Sequence, residues 1–434
     1  MAAESGAPAC SGAGLDATRD PVRPRVVMAL YGDLTYDSRV RREAATLVAA
    51  GCDVTIVCLG EGGEASDLPS SVKVLVYRPT RTEILPRSTN PFRATTDSRL
   101  IALGRRMQWL RDYVLNLRAW GRLVTDTCGP ADIWHVHDLT ALVAVVPTLD
   151  RSVPVVYDAH ELFLDAGTAS RLPAPIRTLL RVYERRLVAR VSAVVTVNDA
   201  LAAELRHRYR PRRIVVVHNC PGLWSPPPDR PNLIRHAAGI PTAAPVILYH
   251  GNLTANRGIE QLMEAILLPG LQDAHLVLLG FGEKRDVYRA TADESRYERR
   301  VHILDAVPPD ALLPWIASAD VGAMPIQPST LNHYLSTPNK LFECLAAGIP
   351  VVASDFPTTR QIVVDEPAGP LGAVCDPSSA ESLASALRSI LELDGPNAAA
   401  LRARCLAAAQ ARWNWEAESA RLTTLYADLV GCSG

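Results

Sequence analysis

The sequence predicts an α/β protein made of two doubly wound domains facing a central cleft. Three observations carry that expectation. Short Val/Ile-rich runs alternate with helical patterns along most of the chain, as in parallel sheets covered by helices. A proline-rich stretch, Asn219 to Pro245 with Pro226-Pro227-Pro228 near its centre, divides those runs into two series. With 434 residues and 48% hydrophobic content, the chain can fill two cores of ordinary size.

In chain order, Met1 to Pro24 is small, polar and Gly/Pro-rich without an apolar core, so residues 1–24 read as a disordered tail and not a signal peptide. The first domain, 25–218, takes strands at Val26 to Leu30, Val54 to Cys58, Val72 to Val76, Ile133 to Val136, Val153 to Tyr157, Ala193 to Val197 and Ile214 to Val217. Residues 219–244 are assigned as linker. The second domain, 245–412, takes strands at Val246 to Tyr249, His275 to Leu279, Val301 to Ile303, Val321 to Met324, Val351 to Ala353 and Ala373 to Val374. Residues 413–434 form an amphipathic helix with Leu422, Leu425, Tyr426 and Leu429 at helical spacing.

Composition excludes several classes. No run reaches the roughly 18 apolar residues of a membrane span. The nine cysteines are scattered, with no Cys-x-x-Cys pair and no histidine cluster at zinc spacing, which suits a reducing cytosol and argues against a structural metal. Net charge is −1, yet the halves differ: 29 basic and 23 acidic residues up to Cys220, against 16 and 23 after it. Much of the basic charge lies on two helical stretches, Arg105 to Arg122 and Arg177 to Arg190. The first, with Trp109, Leu110, Val114, Leu117 and Trp120 interleaved, suits either the sheet or an anionic lipid surface. Nucleic acid is not expected, since no recognised module or strongly basic domain is present.

Charged groups stand where neither helix nor strand needs them in Thr337 to Asp355. Thr337 suits a helix cap, Pro338 the first turn and Gly348 the end, with Val351-Val352-Ala353 continuing as strand. The opening turn Asn339-Lys340-Leu341 then offers free backbone N–H groups and a lysine, a place for phosphate. Glu343, further along the same face, can accept from a ribose diol. The same two charges would also serve as a solvated i,i+3 pair.

Other strand ends carry similar signals. Tyr249-His250-Gly251-Asn252 and the following Asn256-Arg257-Gly258 make a tight βα loop in which glycine allows close backbone approach and a cation faces a diphosphate. Gly280-Phe281-Gly282 is a glycine pair after a strand, weak by itself. In the first domain the loop holding Gly32 leads into a helix, Ser38 to Ala50, where Arg39 sits against the helix dipole and needs an anion. That anion is Asp37, Glu43 or a phosphate. His135-Val136-His137-Asp138 and Asp158-Ala159-His160-Glu161 place histidines beside carboxylates at strand ends. His135 is assigned to packing on the face opposite His137.

These segments together resemble the family 4 glycosyltransferases of the GT-B fold, over most of residues 25 to 430 and most closely in the second domain. The resemblance implies two Rossmann-like domains, with the donor in the second and the acceptor in the first. Glu343 matches the glutamate that holds the donor ribose, and Ala347-Gly348-Ile349-Pro350-Val351-Val352 matches the strand after it. Asn252 and Arg257 stand where the family has the arginine and lysine of its pyrophosphate element Gly-Arg-Leu…Lys-Gly, so one cation is kept and one lost, with Lys340 to compensate. Gly280 and Gly282 match the loop beside the base, and Asp37-Ser38-Arg39-Val40 matches a subgroup. His137 matches the second histidine of His-x-His at the reaction centre. Leu335 replaces a glutamate that usually contacts the transferred sugar.

The resemblance further implies transfer of a sugar from a nucleoside-diphosphate sugar to a hydroxyl with retention, and, since no Asp-x-Asp metal clamp appears in a plausible place, no metal and no cofactor is expected. His137 and Glu343 are then catalytic, and Gly32, Arg39, His160 and Glu161 meet the acceptor. Loss of the glutamate at Leu335 keeps inversion open, with His137 or Glu161 as base. The acceptor class is a glycan, a lipid-linked carrier or a small molecule, in envelope glycan, glycolipid or exopolysaccharide synthesis. The expected place is the cytoplasm, including the inner membrane face. A silent sugar-nucleotide binder and a nicotinamide-dependent dehydrogenase are the competing readings.

Overall fold

The structure, a computed structural model, describes residues 23–60, 68–77, 99–167 and 169–431; the expected tail at 1–24 lies almost wholly outside them. Thirteen strands form two sheets. β1 (Arg25–Asp33), β2 (Asp53–Leu59), β3 (Lys73–Tyr77), β4 (Ile133–His137), β5 (Val155–Ala159), β6 (Ala193–Thr196) and β7 (Ile214–Val216) lie in the order β3-β2-β1-β4-β5-β6-β7. β8 (Val246–Asn252), β9 (His275–Phe281), β10 (Val301–Leu304), β11 (Val321–Met324), β12 (Val351–Ser354) and β13 (Gly372–Cys375) lie in the order β10-β9-β8-β11-β12-β13. Every neighbouring pair is parallel.

Both sheets reverse direction once, between β1 and β4 and between β8 and β11, and the crevice at such a reversal is where open α/β sheets take ligands. Gly32 and His137 stand at the first reversal, Gly251 at the second. The strands are apolar on both faces because helices cover both: Val27, Ala29 and Val136 face one cluster, Val26, Met28 and Ile56 the other. The second sheet does the same with Leu248, Val277 and Val351 against Ile247, Leu276 and Val352.

Helix Asn339–Ala346 runs between β11 and β12 with Leu341, Phe342, Cys344 and Leu345 buried, and Gly348 follows it at φ +67°. Its cap differs from expectation. Pro338 takes the N-cap position with no side-chain cap, because the Thr337 hydroxyl is turned to accept from Asn198 Nδ2 at 3.1 Å in the first domain. The Leu341 N–H, expected to be free, donates to the Pro338 carbonyl at 3.0 Å, which leaves the N–H groups of Asn339 and Lys340 uncapped.

Residues 219–244 are more than a tether. They contain helix Leu233–Ala238, and Cys220, Ile234 and Ile240 join the second domain's core. Helix Trp415–Gly431 returns to the first domain, where Trp415, Leu422, Leu425 and Tyr426 pack with Val40, Ala44 and Leu47. Trp415 Nε1 donates to Thr46 Oγ1 at 2.9 Å. Among the described residues no helix is long and apolar enough to cross a membrane, and the seven described cysteines are all buried and free.

Candidate functional site

Strand β8 delivers Tyr249, His250 and Gly251 to the cleft, and helix Asn339–Ala346 brings Lys340 and Glu343 against them. His250 Nε2 lies 2.8 Å from Glu343 Oε2, and Lys340 Nζ sits 3.8 Å from the centroid of the Tyr249 ring. A cation on an aromatic face is held without being neutralised. Burial would raise the Glu343 carboxyl, but the His250 hydrogen bond and charge, with Lys340 and Arg42, hold it below its ordinary value. Glu343 is therefore an anion with one oxygen fixed and no protein partner on the other among the described residues.

The glycines expected near the diphosphate have structural duties as well. A Cβ on Gly280 would fall 1.9 Å from the Gly251 carbonyl oxygen, and one on Gly258 (φ +70°) would fall 2.0 Å from that of Pro325. A Cβ on Gly251 would stand 3.5 Å from Lys340 Nζ, so the lysine lies directly over this backbone. Gly282, at φ +147°, packs on Leu253 and Asn252, and Asn252 itself is exposed. Arg257 is half-buried and makes no hydrogen bond or ion pair among the described residues.

On the first domain, helix Ser38–Ala49 starts from the Asp37 cap and directs Arg39 inward. Here the structure corrects the sequence. Arg39 is 2% exposed; Nε and Nη2 donate to Asp158 at 2.8 and 3.0 Å, Nη1 donates to the Val217 carbonyl at 2.7 Å, and Glu43 lies 3.1 Å away. Its anions are thus carboxylates in the core, and it has no open side for an acceptor. A buried guanidinium requires this pairing.

His135 also departs from expectation. Residues two apart on a strand share a face, and the His135 and His137 rings stack at 4.3 Å. Packing still describes His135, whose Nδ1 meets the Tyr426 hydroxyl at 3.0 Å.

His137, His160 and Asp158 form a connected group. His160 Nε2 lies 2.9 Å from Asp158 Oδ2 and 3.4 Å from His137 Nδ1, and its Nδ1 is 3.6 Å from Asp138. Burial pushes the His160 imidazole down, but Asp138 and Asp158 outweigh it and hold it well above 6.5. Burial likewise works against the Asp158 anion, yet Arg39, His160 and the hydrogen bonds from both histidines keep it well below the carboxylate range. His160 is a cation at the cleft edge, supported from behind by an anion that Arg39 locks in place.

Glu43, His135, His137 and Asp158 bring four potential ligand atoms within 4.8 Å of one another, a grouping that sequence spacing did not show because three separate segments supply it. Arg39 already touches both of its carboxylates, so the protein supplies a cation there itself.

The two lobes meet at helix Leu331–Leu335. Asn332 accepts from Leu162 N at 2.9 Å and donates to Glu161 Oε2 at 3.2 Å, while Asn198 Nδ2 donates to the Leu335 carbonyl at 3.0 Å. Leu335, which replaces the expected sugar-contacting glutamate, packs against the first domain's core and serves in docking. Burial, with Asp138, pushes Glu161 up to about 7 against the pull of His160 and Arg257. Gly32 lies near the end of β1, where a Cβ would stand 3.6 Å from the Leu30 side chain. Sequence reasoning missed His250, Asp158 and Asn332 as partners: the first two stand beside Gly251 and His160 at strand ends already singled out, and Asn332 has no local signal.

Family models match both halves: "Glycosyl transferase 4-like domain" over residues 36–220 and "Glycosyl transferases group 1" over residues 244–393. The chain is 30% identical to a D-inositol 3-phosphate glycosyltransferase of Xylanimonas cellulosilytica over 69% of this chain and 72% of that protein. It is 26% identical to a glycogen synthase of Mycobacterium tuberculosis over 84% of each. Among solved structures it resembles sucrose-phosphate synthase of Thermosynechococcus elongatus, with TM-score 0.70, 19% identity and coverage of 94% and 100%. Anabaena HepE in complex with UDP gives TM-score 0.68 and 16% identity, with coverage of 93% and 100%.

Proposed function

The chain belongs to the group 1, family 4-like glycosyltransferases of the GT-B fold, and from that premise we propose that it moves a sugar from a nucleoside-diphosphate sugar to an acceptor hydroxyl. One observation carries the donor site: an uncapped helix start with Lys340 over Gly251, and one turn deeper an ionised Glu343 held by His250. The N–H groups and Lys340 meet the diphosphate, with Arg257 as second cation, and the free Glu343 oxygen accepts from the ribose. Solved relatives bind UDP and UDP-glucose, which makes a uridine donor the first to test.

In the proposed step the bond from the anomeric carbon to the phosphate oxygen breaks and a bond to the acceptor oxygen forms. The nucleoside diphosphate leaves with an added negative charge, which Lys340, Arg257 and the helix start stabilise. In a retaining course the acceptor proton passes to the departing phosphate oxygen. His160, a cation beside His137, faces the acceptor side and favours an acceptor with anionic or hydroxyl-rich groups. Relatives named for D-inositol 3-phosphate agree with such an acceptor. Glu161 and His137 complete that side.

A thermal-shift screen of UDP, GDP, ADP and their sugars tests the reading, since a ligand that prefers the folded state raises its stability. At least one nucleoside diphosphate raises the melting temperature, and the Glu343→Ala chain loses the response. No response to any of them contradicts the donor site.

A further inference from the structure

A cavity of about 290 Å³ lies under the second domain, where Pro245, Asp320 and Pro350 precede β8, β11 and β12. This is the edge of the sheet opposite Gly251 and the start of helix Asn339–Ala346. Its charged lining is three arginines, Arg230, Arg235 and Arg402, against one carboxylate, Asp320. Asp320 is fully engaged: Oδ1 takes Arg230 at 2.7 Å, and Oδ2 takes Arg235 together with Val246 N at 2.7 Å.

All three arginines donate to the carbonyls that end helix Leu312–Ala317, but Arg402 does so only at long distance. Arg230 already donates to the Ala317 and Ala319 carbonyls, and Arg235 to that of Ser318 at 2.8 Å. Arg402, on helix Gly395–Ala411, reaches only the Ala319 and Ala317 carbonyls, at 3.3 and 3.5 Å. It makes no ion pair among the described residues, and burial and the Arg230 charge, against the pull of Asp320, push it down to about 10. A guanidinium in that position gains from an anion it can hold in fork geometry. The remaining wall is apolar apart from Thr242, with Leu391, Leu393 and Leu401 the bulk of it.

We propose that this cavity binds a small organic phosphate, with its anionic head on Arg402 and Arg230 and its body against the leucines. The site is separate from the donor cleft and independent of the function proposed there.

The test uses the full chain with glycerol 3-phosphate, inorganic phosphate and uncharged glycerol, followed by calorimetry and thermal shift. Glycerol 3-phosphate binds the parent chain and the Lys340→Ala chain alike and more tightly than inorganic phosphate does, glycerol gives no response, and Arg402→Gln weakens binding about tenfold or more, as for one lost charge-assisted hydrogen bond. Arg230→Gln, at a side chain 39% exposed, weakens it too and serves if the Arg402 variant fails to fold. No binding to the parent chain, unchanged binding in both arginine variants, loss in Lys340→Ala, or equal affinity for inorganic phosphate overturns the proposal.

Discussion

His250 Nε2 meets Glu343 Oε2 at 2.8 Å, joining the end of a strand to the second turn of the helix that precedes β12. The bond fixes the acid's rotamer and charge before any ligand arrives. Removing it loosens the clasp without removing the acid. His250→Ala therefore weakens nucleoside-diphosphate affinity about tenfold, and Glu343→Ala about 10–100-fold, the range of charge-assisted hydrogen bonds. Titration calorimetry on the two variants checks the order; equal affinity in all three chains speaks against the clasp.

Lys340 rests on the Tyr249 ring and has no carboxylate partner among the described residues, so its charge is available to a diphosphate. Lys340→Ala lowers diphosphate affinity by about 2 kcal/mol and flattens its salt dependence, while nucleoside affinity is unaffected. Arg257→Ala acts in the same direction. Binding measured at two ionic strengths with nucleoside and nucleoside diphosphate decides this.

The charge on His160 comes from its two aspartates, which overcome burial. Asp138 is the less buried member of that pair, with a side chain 28% exposed, so Asp138→Asn is accommodated by the fold. Nitrogen NMR titration of that variant finds the His160 pKa lowered, with Asp158 still holding it up. Because the folded value is raised, this contribution to stability is complete below the unfolded pKa and is lost as pH rises through the folded one. An unmoved titration means that Asp158 alone sets the charge.

Glu161 reaches about 7 because it is buried beside Asp138 at the lobe contact with Asn332. A carboxyl raised in the fold favours folding fully below its unfolded value, and that contribution is lost as pH climbs through about 7. Glu161→Gln thus stabilises the chain at pH 8 by about 1–2 kcal/mol relative to the parent and has little effect near pH 5. Denaturant melts at the two pH values check this, and an equal effect at both places the group in solvent.

Thirteen strands among the described residues were legible because parallel strands, most of them buried, read as short β-branched runs, and the two series separated where the prolines fall. Helix Asn339–Ala346 and its charged face were legible for the same local reason, Gly348 and Pro350 marking its end. Long-range partners were not. Arg39 read as a cation needing an anion, and Glu43 was among those offered, but its main partner Asp158 lies 119 positions away, and the stacking of His135 on His137 was lost to a misplaced strand face. The Asn332 contact with Glu161 spans 171 positions, so only the folded chain brings it into view.

The most direct measurement is a crystal structure of the protein soaked with UDP, and with GDP or ADP if UDP does not bind. The donor-site assignment predicts the diphosphate against the Asn339–Lys340 backbone, within hydrogen-bond reach of Lys340 Nζ, and the ribose on Glu343. A nucleotide bound at another place, or bound there with its ribose away from Glu343, contradicts it.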